Sequence, residues 1–204
     1  MIPQVFFLSP AYCGGRRAGY LLREGSQMAL AVKLAEGTLT LGEAFTFMSG
    51  LYFRGKLGYA RAFGRHETPV LVITPTRGLL PPETLVTAPL LREFATVDVD
   101  ADDQRYRKPL DRSLRRLTRG ASRDTRFVLL GSIATGKYVD ALTHVFGERL
   151  HFPIDFVGRG DMSRGGLMLR SVASGSELEY SVLSPQVRRH GVRPPKLAPL
   201  VRGS

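Results

Sequence analysis

Between Arg126 and Leu142 the chain reads RFVLLGSIATGKYVDAL, and it places Ser132, Lys137 and Tyr138 directly after a short apolar run. A lysine there can clamp a phosphate or, with a depressed pKa, act as an amine nucleophile, while the two hydroxyls can orient a bound group. The spacing from Gly131 to Lys137 matches the GxxxxGK pattern that cradles nucleotide phosphates. The next residue is Tyr138, where a phosphate loop needs Ser or Thr to hold magnesium, and no hydrophobic strand ending in Asp offers the second metal contact. An anion-binding or base-binding loop of another kind is therefore expected. The alternatives are a nucleotide hydrolase with a degenerate loop and a plain strand-to-helix turn.

Three more apolar runs leave into loops that combine glycine with cations. After Val5–Leu8 comes Ser9-Pro-Ala-Tyr-Cys-Gly-Gly-Arg-Arg17, in which glycines allow close backbone approach and Arg16 and Arg17 can hold a phosphate or carboxylate by paired N–H groups. Cys13, if exposed beside those arginines, would have a lowered thiol pKa and become a candidate nucleophile; a small buried residue is the plainer alternative. Val70–Ile73 leaves into a loop carrying Arg77. The run Leu150–Val157 leaves into Gly158-Arg-Gly-Asp-Met-Ser-Arg-Gly-Gly166, where Arg159, Asp161, Ser163 and Arg164 cluster. At the carboxyl ends of parallel strands these four loops are expected to converge on one positive pocket.

Two further segments could meet nucleic acid. From Leu41 to Phe63 aromatics alternate with glycine and cations, a composition suited to stacking on bases, with Tyr52 and Arg54 the residues of interest. On a helix over 108–119, Leu110, Leu114 and Leu117 would share one side, leaving Lys108, Arg112, Arg115, Arg116 and Arg119 as a basic stripe for phosphates.

The elements that must position these residues follow from periodicity. Apolar strand runs alternate with helical stretches, which predicts an α/β fold: a three-layer arrangement of four to six strands in a mainly parallel sheet with helices on both faces. Helical spacing covers 18–36, Thr96–Asp100 reads as a short edge strand, and Glu177–Leu183 reads as the last strand. A single α/β domain over 1–186 is expected, followed by a basic, Pro-containing tail over 187–204.

Composition narrows the partners. The 204 residues include 29 Lys and Arg against 18 Asp and Glu, a formal charge of +11, so attraction to a polyanion is expected. One cysteine excludes an internal disulfide and a multi-cysteine metal site, and no metal or cofactor is implied. No apolar run approaches the roughly 18 residues of a membrane span, and no charged leader precedes the first hydrophobic residues. A cytoplasmic protein without a membrane partner is expected.

Short pieces between residues 5 and 170 resemble the YaaA family of peroxide-stress DNA-binding proteins and its relatives with a nucleobase-handling core. They are Leu8-Ser-Pro-Ala11, Ser49-Gly-Leu-Tyr52, Gly78-Leu-Leu-Pro81, Leu130-Gly-Ser-Ile-Ala134 with Lys137-Tyr138, and Gly160-Asp-Met-Ser-Arg164. This chain has Tyr12 where that family carries lysine. The resemblance implies a DNA-binding role in damage or oxidative stress, with double-stranded DNA as partner and a glycosylase, lyase or other nucleobase-processing activity as the enzymatic form. A glycosylase needs a carboxylate and a lyase needs an amine of depressed pKa, which nominates Asp161 and Lys137. A binding module without chemistry is the alternative.

Overall fold

Val5, Phe6, Phe7 and Leu8 are all buried, so the first strand must be covered on both faces, as a strand at the centre of a parallel sheet is. The computed structural model describes residues 3–64, 69–184, 191, 192, 194, 195 and 197. Its strands are β1 (Gln4–Leu8), β2 (Val70–Thr74), β3 (Gly78–Leu80), β4 (Arg126–Leu130), β5 (Leu150–Pro153) and β6 (Tyr180–Val182). They join one mixed sheet in the order β3-β2-β1-β4-β5-β6. β1 pairs in parallel with both β2 and β4, β5 is parallel to β4, and the two edge strands run antiparallel.

The helices are α1 (Arg16–Leu21), α2 (Ala29–Ala35), α3 (Leu41–Ser49), α4 (Leu51–Phe63), α5 (Ala88–Ala95), α6 (Gln104–Gly120), α7 (Gly136–Phe146) and α8 (Asp161–Ser174). Alternate strand side chains divide between two hydrophobic clusters. Phe6, Leu8, Val72, Val128 and Leu130 pack with residues of α1 to α5 and α8, such as Leu21, Leu34, Phe45, Phe53, Phe94 and Met168. Val5, Phe7, Ile73, Phe127 and Leu129 pack instead with Tyr106, Leu110 and Leu114 of α6 and with Val139, Leu142 and Phe146 of α7.

Several elements differ from the sequence expectation. The helical pattern over 18–36 is two helices, interrupted between Leu21 and Ala29. The aromatic segment is also two helices, broken at Gly50, whose φ of 62° suits glycine and whose missing Cβ leaves room for the Arg17 guanidinium. Thr40 and Glu43 close a reciprocal capping box that fixes the start of α3. Thr96–Asp100 is not a strand: it leaves the end of α5 as a loop. Its alternating Val97 and Val99 reflect packing against the second cluster rather than sheet pairing. The hairpin strand β3 is an addition to the expected strands, because a run of only Gly78, Leu79 and Leu80 carries no readable period. The basic helix begins at Gln104, capped by the Asp103 carboxylate, which accepts from Arg105 N at 2.8 Å. Most of the tail expected over 187–204 lies outside the described residues.

β2 and β4 flank β1, so the chain leaves β1 toward one side and later returns to the other. That reversal makes a topological switch point between β1 and β4, where a crevice opens at the strands' carboxyl ends.

Candidate functional site

A cavity of about 710 Å³ lies at this switch point. Its walls come from the loop after β1 (Ser9, Tyr12), the start of α1 (Arg16, Arg17), the end of α3 (Met48, Ser49), Tyr52 of α4 and Asp98–Asp100. Ser132, with Lys137 and Tyr138 of α7 and Asp161 at the start of α8, completes them. The sequence therefore does bring together Ser9, Arg16, Arg17, Tyr52, Ser132, Lys137, Tyr138 and Asp161.

Beneath the wall lies Lys56, fully buried at 0% exposure. Its Nζ donates to the Ser9 carbonyl oxygen at 2.6 Å and lies 2.9 Å from Ser9 Oγ. The amine also stands over the Tyr52 ring at 4.2 Å and the Phe53 ring at 4.9 Å. Burial pushes the Lys56 amine down to about 7; the Asp161 carboxylate opposes that shift and the Arg164 guanidinium adds to it. In the sequence Lys56 is one cation among interleaved aromatics. Its place in the helical period, one turn after Tyr52 and next to the buried Leu57 and Gly55, is the signal that puts it on the inner face of α4.

Three other groups complete the polar floor. Arg164, only 6% exposed, donates from Nε to the Phe156 carbonyl oxygen at 3.2 Å and from Nη1 to Asp161 Oδ1 at 3.2 Å. Among the described residues Tyr52 Oη is buried without a hydrogen bond of good geometry, and burial pushes its phenol up, with Arg164 pulling the other way. The Tyr138 phenol is pushed up by burial too, against the neighbouring Ser9 hydroxyl. Gly131 permits this crowding: a Cβ there would stand 2.9 Å from Ser9 Cβ and 3.1 Å from both Ser9 Oγ and Tyr138 Oη.

Other candidates lie elsewhere or in another state. Cys13 is buried at 3% exposure with its Sγ toward the Ala11 carbonyl, and burial pushes the thiol up to about 12. That is the reverse of the activated cysteine expected beside Arg16 and Arg17, because the side chain turns into the core while the arginines turn out. Arg77 pairs with Glu93 at 2.5 Å and does not line the cavity. Arg159 donates to the Asp155 carbonyl oxygen and the Ser163 hydroxyl, so these two residues bind each other. Arg54 points into a separate groove beside Leu30, Glu43 and Phe47.

The expectation of one positive pocket is corrected accordingly. Arg16, Arg17 and Lys137 are matched on the cavity wall by Asp98, Asp100 and Asp161, because the loop from α5 replaces the one carrying Arg77. Lys137 is exposed at the rim, whereas the buried lysine is Lys56.

Excess positive charge collects instead on α6. Lys108, Arg112, Arg115, Arg116 and Arg119 are all exposed, while Tyr106, Leu110 and Leu114 are buried. Asp111 is taken by Arg107 at 2.8 Å, and none of the five exposed cations forms an ion pair among the described residues. Lys108, Arg112, Arg115 and Arg119 line a shallow groove with Asp111.

No helix among the described residues is long and apolar enough to cross a membrane, and no group of three or more His, Cys, Asp or Glu is placed to hold a metal ion. Comparison with protein-family models, with curated proteins and with solved structures finds no match to this chain.

Proposed function

We propose that the chain binds nucleic acid, with double-stranded DNA as the favoured partner, through the exposed face of α6, and receives a base or backbone group in the cavity between β1 and β4. The cations of α6 carry this reading: five exposed positive side chains on one helix, none in an ion pair among the described residues, favour phosphates over a merely solvated surface. A cavity near 710 Å³ falls within the range of small-ligand sites, and its two signs of charge suit a nucleotide unit. Arginines can take the phosphate, and carboxylates can accept from base amino groups.

The resemblance to YaaA-like proteins adds a role in DNA damage or oxidative stress and a nucleobase-processing activity. Base release would draw on Asp161 at the rim. The fold behind this proposal is a three-layer arrangement, supported by the two hydrophobic clusters formed by alternate strand residues. Cytoplasmic localisation belongs to the same proposal.

The test is the salt dependence of duplex binding. Replacing Arg112, Arg115, Arg116 and Arg119 with alanine is expected to weaken binding equally across sequences. Each lost phosphate contact is expected to reduce the magnitude of the log–log salt slope by about 0.9. An unchanged slope would reject α6 as the interface, and magnesium-dependent ATP or GTP hydrolysis would favour the nucleotide-hydrolase alternative.

A further inference from the structure

We propose that Ser9 and Lys56 are a nucleophile and general-base pair, serving hydrolysis of a small ester or amide held in the cavity at the end of β1. It shares the cavity assigned above to a base or backbone group, but it stands apart from the α6 face and does not rest on duplex binding.

Three observations meet here. Ser9 lines the cavity, and its Oγ lies 2.9 Å from Lys56 Nζ, within the reach a nucleophile and its base require. Lys56 is buried without an ion pair among the described residues: the nearby Asp161 carboxylate is bound to Arg164, and the amine's hydrogen-bond contacts are both with Ser9. A lysine kept for structure alone ordinarily reaches solvent or meets a carboxylate. A neutral amine satisfies both contacts, donating one N–H to the Ser9 carbonyl oxygen and accepting the Ser9 hydroxyl proton. The third observation is Tyr138, whose hydroxyl crowds the same serine across the gap that Gly131 leaves open. It acts as a positioning residue for Oγ.

Because Ser9 separates Lys56 from the cavity, the lysine cannot itself reach a substrate carbon. The chemistry therefore runs through oxygen. Ser9 Oγ attacks the substrate carbonyl carbon as its proton passes to Lys56 Nζ, and the new C–O bond gives a tetrahedral adduct. The adduct collapses with cleavage of the bond to the leaving alcohol or amine, which takes the proton from Nζ, leaving acyl-Ser9. Water then attacks the acyl carbon, giving its proton to Nζ, and Ser9 leaves as the hydroxyl by recovering that proton. The products are an acid and an alcohol or amine, and no oxidant, reductant or metal enters the balance. Charges of both signs on the cavity wall, Arg17 and Lys137 together with Asp98 and Asp161, select a substrate that carries both.

The full chain is to be treated with a fluorophosphonate, which phosphonylates activated serines with loss of fluoride, and the adduct located by peptide mass mapping. A single adduct on Ser9 is expected, forming at least about a hundredfold more slowly in Lys56→Met. The wild-type labelling rate is expected to rise as pH increases through neutrality as Lys56, within reach of Asp161, Arg164 and Tyr52, loses its proton. Folded wild-type protein that gives no Ser9 adduct overturns the proposal, as does equal labelling of folded Lys56→Met. Should Lys56→Met not fold, a wild-type labelling rate that is flat from about pH 6 to 9 overturns it instead. The salt slope of duplex binding, read on the same preparation, reports separately on α6.

Discussion

Gly55 of α4 and Gly165 of α8 meet backbone to backbone: a Cβ built on Gly55 would stand 2.7 Å from the Gly165 carbonyl oxygen. The reciprocal Cβ on Gly165 would stand 2.8 Å from the Leu51 carbonyl oxygen and 2.9 Å from Tyr52 Cα. These atoms belong to helical backbone and cannot rotate away, so the two helices hold Tyr52 and Lys56 of α4 against Asp161 and Arg164 of α8 only while both positions lack a side chain.

Gly165→Ala is therefore expected to lower stability by about 1–3 kcal/mol through overpacking, seen as a fall in Tm. Gly19→Ala is the control. Its Cβ meets nothing within 4 Å, so it is expected to be neutral or to stabilise α1 by up to about 1 kcal/mol. Equal effects of the two substitutions would contradict the close α4–α8 contact.

The buried amine of Lys56 makes a second expectation, for stability against pH. Its folded pKa, about 7, lies below the ordinary lysine value of 10.5, so between these values the unfolded chain binds the extra proton and stability rises with pH. Below about 7 both states are protonated and the penalty of burying the charge is fully present. The groups facing the amine are Ser9, Tyr52, Asp161 and Arg164, of which Asp161 opposes the shift and Arg164 strengthens it. Urea unfolding of wild type and Lys56→Met should thus diverge from about pH 7 to 9. The wild-type slope is expected to be more positive by up to about 1.4 kcal/mol per pH unit. Parallel curves would mean that Lys56 keeps its ordinary pKa in the folded protein.

Cys13 gives the third. With the thiol buried and its pKa raised from 9.0 to about 12, the native protein should hold almost no thiolate at neutral pH. Alkylation by iodoacetamide is expected to be roughly a hundredfold or more slower in the native protein than in the denatured chain. Comparable rates would place the thiol at the surface beside Arg16 and Arg17.

What the sequence determined by itself was local. Val5–Leu8, Val70–Ile73 and Phe127–Leu130 are apolar runs long enough for a buried strand and too short for a helix, and each became a strand of the parallel core. The leucines of α6 recur with the helical period, so its basic side had to face away from the sheet. Ser9, Ser132, Lys137 and Tyr138 were readable as site residues because they follow strands directly, where chain direction alone carries them to one edge.

Tertiary structure decided the charge and depth of that site. Arg77 follows its strand as Arg16 follows β1, yet Glu93 on α5 draws it aside, a pairing across 16 residues that no local pattern announces. Asp98 and Asp100 reach the cavity only because their segment turns away from the sheet as a loop. The choice between Lys137 and Lys56 was settled by the same physics. Both follow glycine-containing stretches, but α7 leaves its lysine in water at the rim, whereas the glycine contact between α4 and α8 seals Lys56 behind Ser9. Desolvation depends on what the rest of the chain packs around a residue, and that is fixed only when the helices close.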